Sequence, residues 1–433
     1  MKIWSTAKQL AEQTPPERNR YVDFLRALSI LFVITGHWIV ATFYFSDGEM
    51  SAGKLTQISP DTQWLTWVFQ VMPIFFIVGG YANGVSLESA KRKGTDYAGW
   101  LAGRLNRLVT PLLMLVLFWG AFSAILHFAG VSGPNLRAGS RAALIPTWFL
   151  AIYIMVVIFA PATYRLWRRW GLASIAGFGA VAVLVDWLYL GFDLRFLGWT
   201  NYFWVWLCVH QFGYAWRDGR LSSPPMMFVY SVLGLAALWT LIFKGPYPFA
   251  MVTSPDGDVS NTSPPKITLM ALAICQFGLL MAIEAPMRRF LSSVRAWAAT
   301  VLINSLIMTV YLWHITVLVL VIGIAWLAGG IGLGIEPGRS EWWYSRPIYI
   351  LILYVILVPV SLALSPLERL GQSADRVPPG AARQIVGATL LCLGVASLAM
   401  YGFGASPLPH LDLVSFAFVI IGAGISGLLP KFR

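Results

Sequence analysis

Apolar runs near the ~20 residues needed to cross a hydrocarbon core recur along this chain. They fall at 24–45, 64–87, 108–129, 144–162, 171–190, 198–216, 226–243, 266–286, 299–328, 347–366, 384–402 and 412–430. Short polar or basic stretches separate them, and only helices or closed barrels satisfy their own backbone in lipid. The pattern predicts an all-α polytopic membrane protein. A polar segment holding Pro378-Pro379-Gly380 separates the tenth and eleventh runs, so the last two read as an appendage to a ten-helix core. The polar residues before the first run lack a small-residue cleavage pattern, and that run is expected to stay as a membrane helix. The expected organisation is a cytoplasmic segment (1–20), a membrane core (21–370), a cytoplasmic linker (371–383) and a C-terminal transmembrane pair (384–433).

Charge orients the spans. With the N-terminus inside, 22 of the 31 Lys and Arg residues fall in inner segments and eight in outer ones, with Arg26 at the start of the first span. That bias predicts both termini in the cytoplasm. The longest outer segments, 46–63, 244–265 and 329–346, are rich in Gly, Pro, Ser and Trp. The chain of 433 residues is 58% hydrophobic and 12% charged, about half the share usual in soluble domains. The net charge of +12 lies in short inter-span loops and forms no groove-like stripe, so no nucleic acid is expected as a partner. Cys208, Cys275 and Cys392 all lie inside predicted spans, with no metal-ligand or disulfide spacing, and no metal is expected.

Candidate chemistry starts in the first run. Arg26 and His37 are eleven positions apart, almost three helical turns, and therefore share a face about 16 Å apart along the axis. With Arg26 at the inner boundary, His37 lies near the middle of the ~30 Å core. Polar groups at that depth usually face the protein interior and work there, and an imidazole suits a general base or nucleophile. Asp23 and Arg26, at i and i+3, can pair at the helix entrance. In the second run, Gly79-Gly80 would admit either another backbone or a thin ligand, and Asn83 follows. The third opens with Arg104 and Arg107 at i and i+3, a pair suited to phosphates as well as to setting topology. His314 lies in the ninth run as a second polar candidate; His127, His210, His410 and Asp186 rank lower. Buried His and Arg among many spans also suit a transporter or exporter of a lipid or sugar, although no internal repeat is visible.

Together these residues resemble the acyltransferase-three family, bacterial membrane enzymes that acylate surface polysaccharides and related molecules. The resemblance spans roughly residues 18–370. It rests on Arg26 and His37, on Phe75-Phe76 followed by Gly79-Gly80-Tyr81, on Arg104 and Arg107 with Pro111, on Trp148-Phe149-Leu150, on Tyr311 to His314, and on Glu368. Gly79 stands where the family has Ser, so any role of that hydroxyl is lost. The resemblance implies a ten-helix core in the plasma membrane, acyl-CoA as cytoplasmic co-substrate with no bound cofactor, and a hydroxyl of an envelope polysaccharide or glycolipid as acceptor. It makes His37 and Asp23 the catalytic candidates. Arg26, Arg104, Arg107, Gly79 and Gly80 become donor-binding candidates, with Asn83, Trp148, His314 and Glu368 as further positions.

Overall fold

A computed structural model gives the fold and describes residues 2–15, 17–46, 49–252, 259–370, 377–404 and 410–429. Residues 371–376 of the expected linker and the terminal Lys431 and Arg433 used in the charge count lie outside the described residues. The principal helices are α1 (Lys2–Glu12), α2 (Arg20–Val40), α3 (Met72–Arg92), α4 (Tyr97–Phe128), α5 (Gly133–Trp170), α6 (Leu172–Gly191), α7 (Asn201–Arg217), α8 (Pro224–Lys244), α9 (Ile267–Ala282), α10 (Val294–Ser305), α11 (Ile307–Leu327), α12 (Ser340–Leu370), α13 (Ala381–Tyr401) and α14 (Leu411–Ile425). A two-stranded sheet, β1 (Ala41–Ser46) and β2 (Glu49–Lys54), follows α2.

Each predicted run holds a helix. Among the described residues nine helical segments are long and apolar enough to cross a membrane, or ten if α9 and its continuation Glu284–Phe290, bent by 56°, count as one. The expectation of twelve crossings is met by that measure only in part. α14 has 15 residues, short of a full crossing. The run expected at 299–328 is two helices, α10 and α11, broken at Leu306. The side chains there bond their own preceding turn, Asn304 Nδ2 to Thr300 O at 2.9 Å and Ser305 Oγ to Leu302 O at 2.7 Å, a local competition with helix continuation.

The chain forms two compact units, one from residues 1–36, 54–88 and 159–307, the other from 37–53, 89–158 and 308–433. In the first, α7 is the central element, with 12 of its 17 residues buried, Trp206 and Tyr214 fully so. It meets α3 backbone to backbone, because a Cβ on Gly80 would strike the His210 carbonyl and one on Gly213 the Ile77 carbonyl. α8 and α9 approach in the same way through Gly234 and Gly278, the close packing that small residues permit in membranes. In the second unit, α13 and α14 pair through Gly387, Gly394 and Gly422. They dock on α4, where Phe416 fills the space beside Gly120 and buried Gln384 donates to Ala98 O at 3.0 Å. α4 is tied to α11 by Trp119 Nε1 donating to Thr316 Oγ1 at 3.0 Å and by Phe118 against Trp313, ring centroids 5.1 Å apart.

Candidate active site

The second unit places the two mid-span histidines together. His37 Nδ1 lies 2.8 Å from His314 Nε2, with the rings nearly parallel at 9° and centroids 5.1 Å apart. His314 Nδ1 lies 2.6 Å from the Tyr311 carbonyl oxygen. A carbonyl only accepts, so that nitrogen carries a hydrogen. With the pair uncharged, His314 Nε2 is then bare and accepts from His37 Nδ1–H. This ordering of partners leaves the lone pair of His37 on Nε2. His314 is fully buried, and His37 is the less buried residue of the two.

The surroundings hold the pair still. Trp38 Nε1 donates to the His314 carbonyl at 3.1 Å, and the Tyr311 hydroxyl donates to Pro146 O at 2.7 Å. Phe149 packs its ring against Tyr311 at 79°, while its neighbour Trp148 is partly exposed. Glu368, buried, accepts from Thr309 Oγ1 at 2.6 Å, five residues before His314 on α11. It therefore acts about 8 Å of helix rise below the imidazole rather than on it.

α4 carries the arginine pair in the same unit. Its first turn is capped by Asp96, which accepts from Gly99 N at 2.8 Å. Arg104 is partly exposed and Arg107 exposed, and Arg107 pairs with no carboxylate among the described residues. The contacts of Phe118 and Trp119 with Trp313 and Thr316 set the level of His314 on α4. Arg107 is twelve residues before Trp119 on that helix, so about 18 Å of rise separates it from the histidine level.

The remaining candidates lie in the first unit. Asp23 binds Arg26 (Oδ1 to Nη2, 2.9 Å) and Arg18 (Oδ2 to Nε, 2.6 Å). Arg26 Nε also donates to Asn304 Oδ1 at 2.7 Å, and Asn304 Nδ2 to Asp23 O at 2.9 Å. These residues, with Thr14 and Trp297, line a cavity of about 390 Å³. Asp23, expected among the catalytic residues, has both carboxylate oxygens engaged, one by Arg26 and one by Arg18. The Gly79-Gly80 step is closed by protein rather than open to a thin ligand at Gly80, where the α7 backbone sits. Asn83 Nδ2 lies 3.0 Å from His210 Nε2, both fully buried, which gives His210 a packing partner within the same unit.

Two contacts were not legible beforehand. His314 stood only as a second polar candidate, since no local signal pairs positions 277 apart; Trp38, beside His37 in sequence, carries no cue that its N–H reaches the same helix. A family model described as an acyltransferase domain matches residues 19–366, and the chain belongs to this acyltransferase-three family. It is a multi-pass membrane acyltransferase. No curated protein and no solved structure compared with the chain matches it.

Proposed function

We propose that the chain moves an acyl group from cytoplasmic acyl-CoA to a hydroxyl of an envelope polysaccharide or glycolipid, from within the plasma membrane. The observation that carries the reading is the His37–His314–Tyr311 chain, which leaves a lone pair on Nε2 of His37, the less buried residue of the two. In this reading His37 Nε2 takes the acceptor's hydroxyl proton as the oxygen attacks the thioester carbonyl carbon. Nδ1–H continues to donate to His314, so the new positive charge is met by an acceptor already in place. Collapse of the tetrahedral species breaks the C–S bond, and the proton on Nε2 passes to the leaving sulfur, returning the pair to its starting state.

Arg104 and Arg107 hold the donor's phosphates. Guanidinium groups bind phosphate oxygens in forked, charge-assisted pairs, and the ~18 Å of rise from Arg107 to the histidine level suits a thioester carried on an extended pantetheine arm. Direct transfer and an acyl-histidine intermediate use the same ring; the fixed Nδ1–H favours the base role, because the pair then only gains and loses one proton.

His37→Ala tests the assignment. The folded variant should remain in the membrane and lose acyl transfer by about 10²–10⁴-fold, the usual contribution of a general base. Mass spectrometry of envelope glycans and glycolipids, with wild type, variant or no enzyme, reads both the acyl group and the acceptor. A variant that acylates at the wild-type rate overturns the site.

A further inference from the structure

The buried face of α12 carries polar chemistry that the donor side does not use. Trp342, Arg346, Leu353, Leu357, Ser361 and Glu368 recur at helical spacing along it. Trp342, Leu353 and Ser361 are fully buried, and Arg346 is partly so. The Arg346 guanidinium lies between two aromatic rings, its Cζ 4.2 Å from the centroids of both Trp342 and Tyr349. No carboxylate is within ion-pair distance of it among the described residues. Its Nε–H and the Trp342 Nε1–H are buried and donate to nothing among the described residues. Buried donors without acceptors are costly, and a guanidinium packed on two aromatic rings loses less freedom on forked binding of an anion.

This cluster connects to the reacting pair. Tyr354, eight residues on, meets Trp38 edge to face at 4.8 Å, and Trp38 donates to the His314 carbonyl. Arg346 is thus about 12 Å of helix rise from the level of the histidines, farther than one sugar ring spans. Trp343 and Tyr344 are exposed at the same end of α12, the end that the charge count assigns to the outer face, and can stack on saccharide rings.

We propose that Arg346, clamped by Trp342 and Tyr349, is the recognition point for an anionic oxygen group, phosphate or carboxylate, on a saccharide acceptor. The acylated hydroxyl and the anionic group then belong to different units of that acceptor. The acceptor assignment rests on the acyl-transfer reading; the anion site does not. A lipid phosphate offers the same chemistry from a second source, as basic and aromatic residues at membrane interfaces commonly show.

The test reads binding without catalysis. The full chain in dodecyl maltoside, a phosphate-free detergent, is titrated with inorganic phosphate, glucuronate, glucose or phosphatidylglycerol while its thermal midpoint is followed. Phosphate and glucuronate should raise the wild-type midpoint and glucose leave it unchanged. Arg346→Gln should lose both shifts, and Arg346→Lys, a point charge without the fork, should keep part of them. Trp342→Phe keeps the ring and removes the N–H, and should weaken the response should Arg346→Gln fail to fold. A shift with phosphatidylglycerol alone, lost in Arg346→Gln, makes the site a lipid anchor and overturns the acceptor assignment. Anion shifts that survive in Arg346→Gln, or no shift with any anion, overturn the site. Because His37→Ala protein should respond like wild type, failure here is distinguishable from failure of the acyl-transfer reading.

Discussion

At the scale of single residues, His314 matters by what it does to His37. It is fully buried, and its bond to the Tyr311 carbonyl turns its bare Nε2 toward His37 Nδ1, which in the proposed mechanism leaves His37 Nε2 as the base. His314→Leu removes the acceptor for His37 Nδ1–H and lets the ring choose its tautomer and turn. Acyl transfer should fall about 10–100-fold, as when partners that orient metal-bound imidazoles are lost, with KM for the donor nearly unchanged. His314→Gln, whose amide oxygen can accept, should recover part of kcat. Equal loss in both variants would make the residue a packing element only. A second buried pair lies in the first unit, where Lys266 Nζ, fully buried, sits 3.8 Å from Asp186 Oδ1 and over the Tyr189 ring. Asp186 also accepts from Ile267 N, Asn201 Nδ2 and the Tyr247 hydroxyl. Asp186→Ala strands the ammonium and should cost about 3–5 kcal/mol, seen as a lower thermal midpoint.

At the scale of elements, the sequence and the structure agree wherever hydrophobic length decides the outcome and part where packing does. α2 through α6, α8, α12 and α13 lie where apolar runs place them, because nothing else satisfies their backbone in lipid. The β1–β2 hairpin was not legible: Thr42-Phe-Tyr-Phe45 reads as the end of an apolar helix, yet its Phe45 N–H is bonded to Leu333 O at 2.8 Å, a partner nearly 300 residues away. The break at Leu306 has no Pro or Gly to announce it. Gly79-Gly80 was legible as a close approach but not in its partner. At Gly80 the partner is the rigid carbonyl of His210, with Gly213 on the far side, so neither backbone can yield cheaply. Gly80→Ala should therefore reduce the folded yield and the thermal midpoint sharply. Gly177→Ala on α6, where an added Cβ meets nothing within 4 Å, should be neutral or stabilising by up to about 1 kcal/mol through helix propensity. Similar midpoints for the two variants would show that α3 and α7 can separate at no cost.

At the scale of the whole molecule, the family match ends at residue 366, before α13 and α14 begin, yet those helices are packed into the second unit rather than trailing from it. Gln384 is fully buried and spans two backbones, donating to Ala98 O on α4 at 3.0 Å and to Pro379 O at 2.7 Å. Cys392 Sγ contacts Ala151 O on α5 at 3.5 Å. Ala98 is six residues before Arg104, less than two turns. The appended pair thus holds the turn of α4 that precedes Arg104 and Arg107, the arginines proposed above to hold the donor's phosphates. Gln384→Ala removes the cross-link without disturbing the glycine-mediated contact between α13 and α14. Freed at its start, α4 would present Arg104 and Arg107 in a wider range of positions. The loss of about 1–1.5 kcal/mol expected for a hydrogen bond should then appear as a several-fold rise in KM for acyl-CoA, with kcat held by the undisturbed histidine pair. Removal of residues 377–433 should exaggerate the same split. Steady-state kinetics at varied acyl-CoA distinguishes this from general destabilisation, which would lower the amount of active enzyme and leave KM as it was. A fall in apparent kcat at constant KM would make the pair a stabilising annex with no part in donor binding.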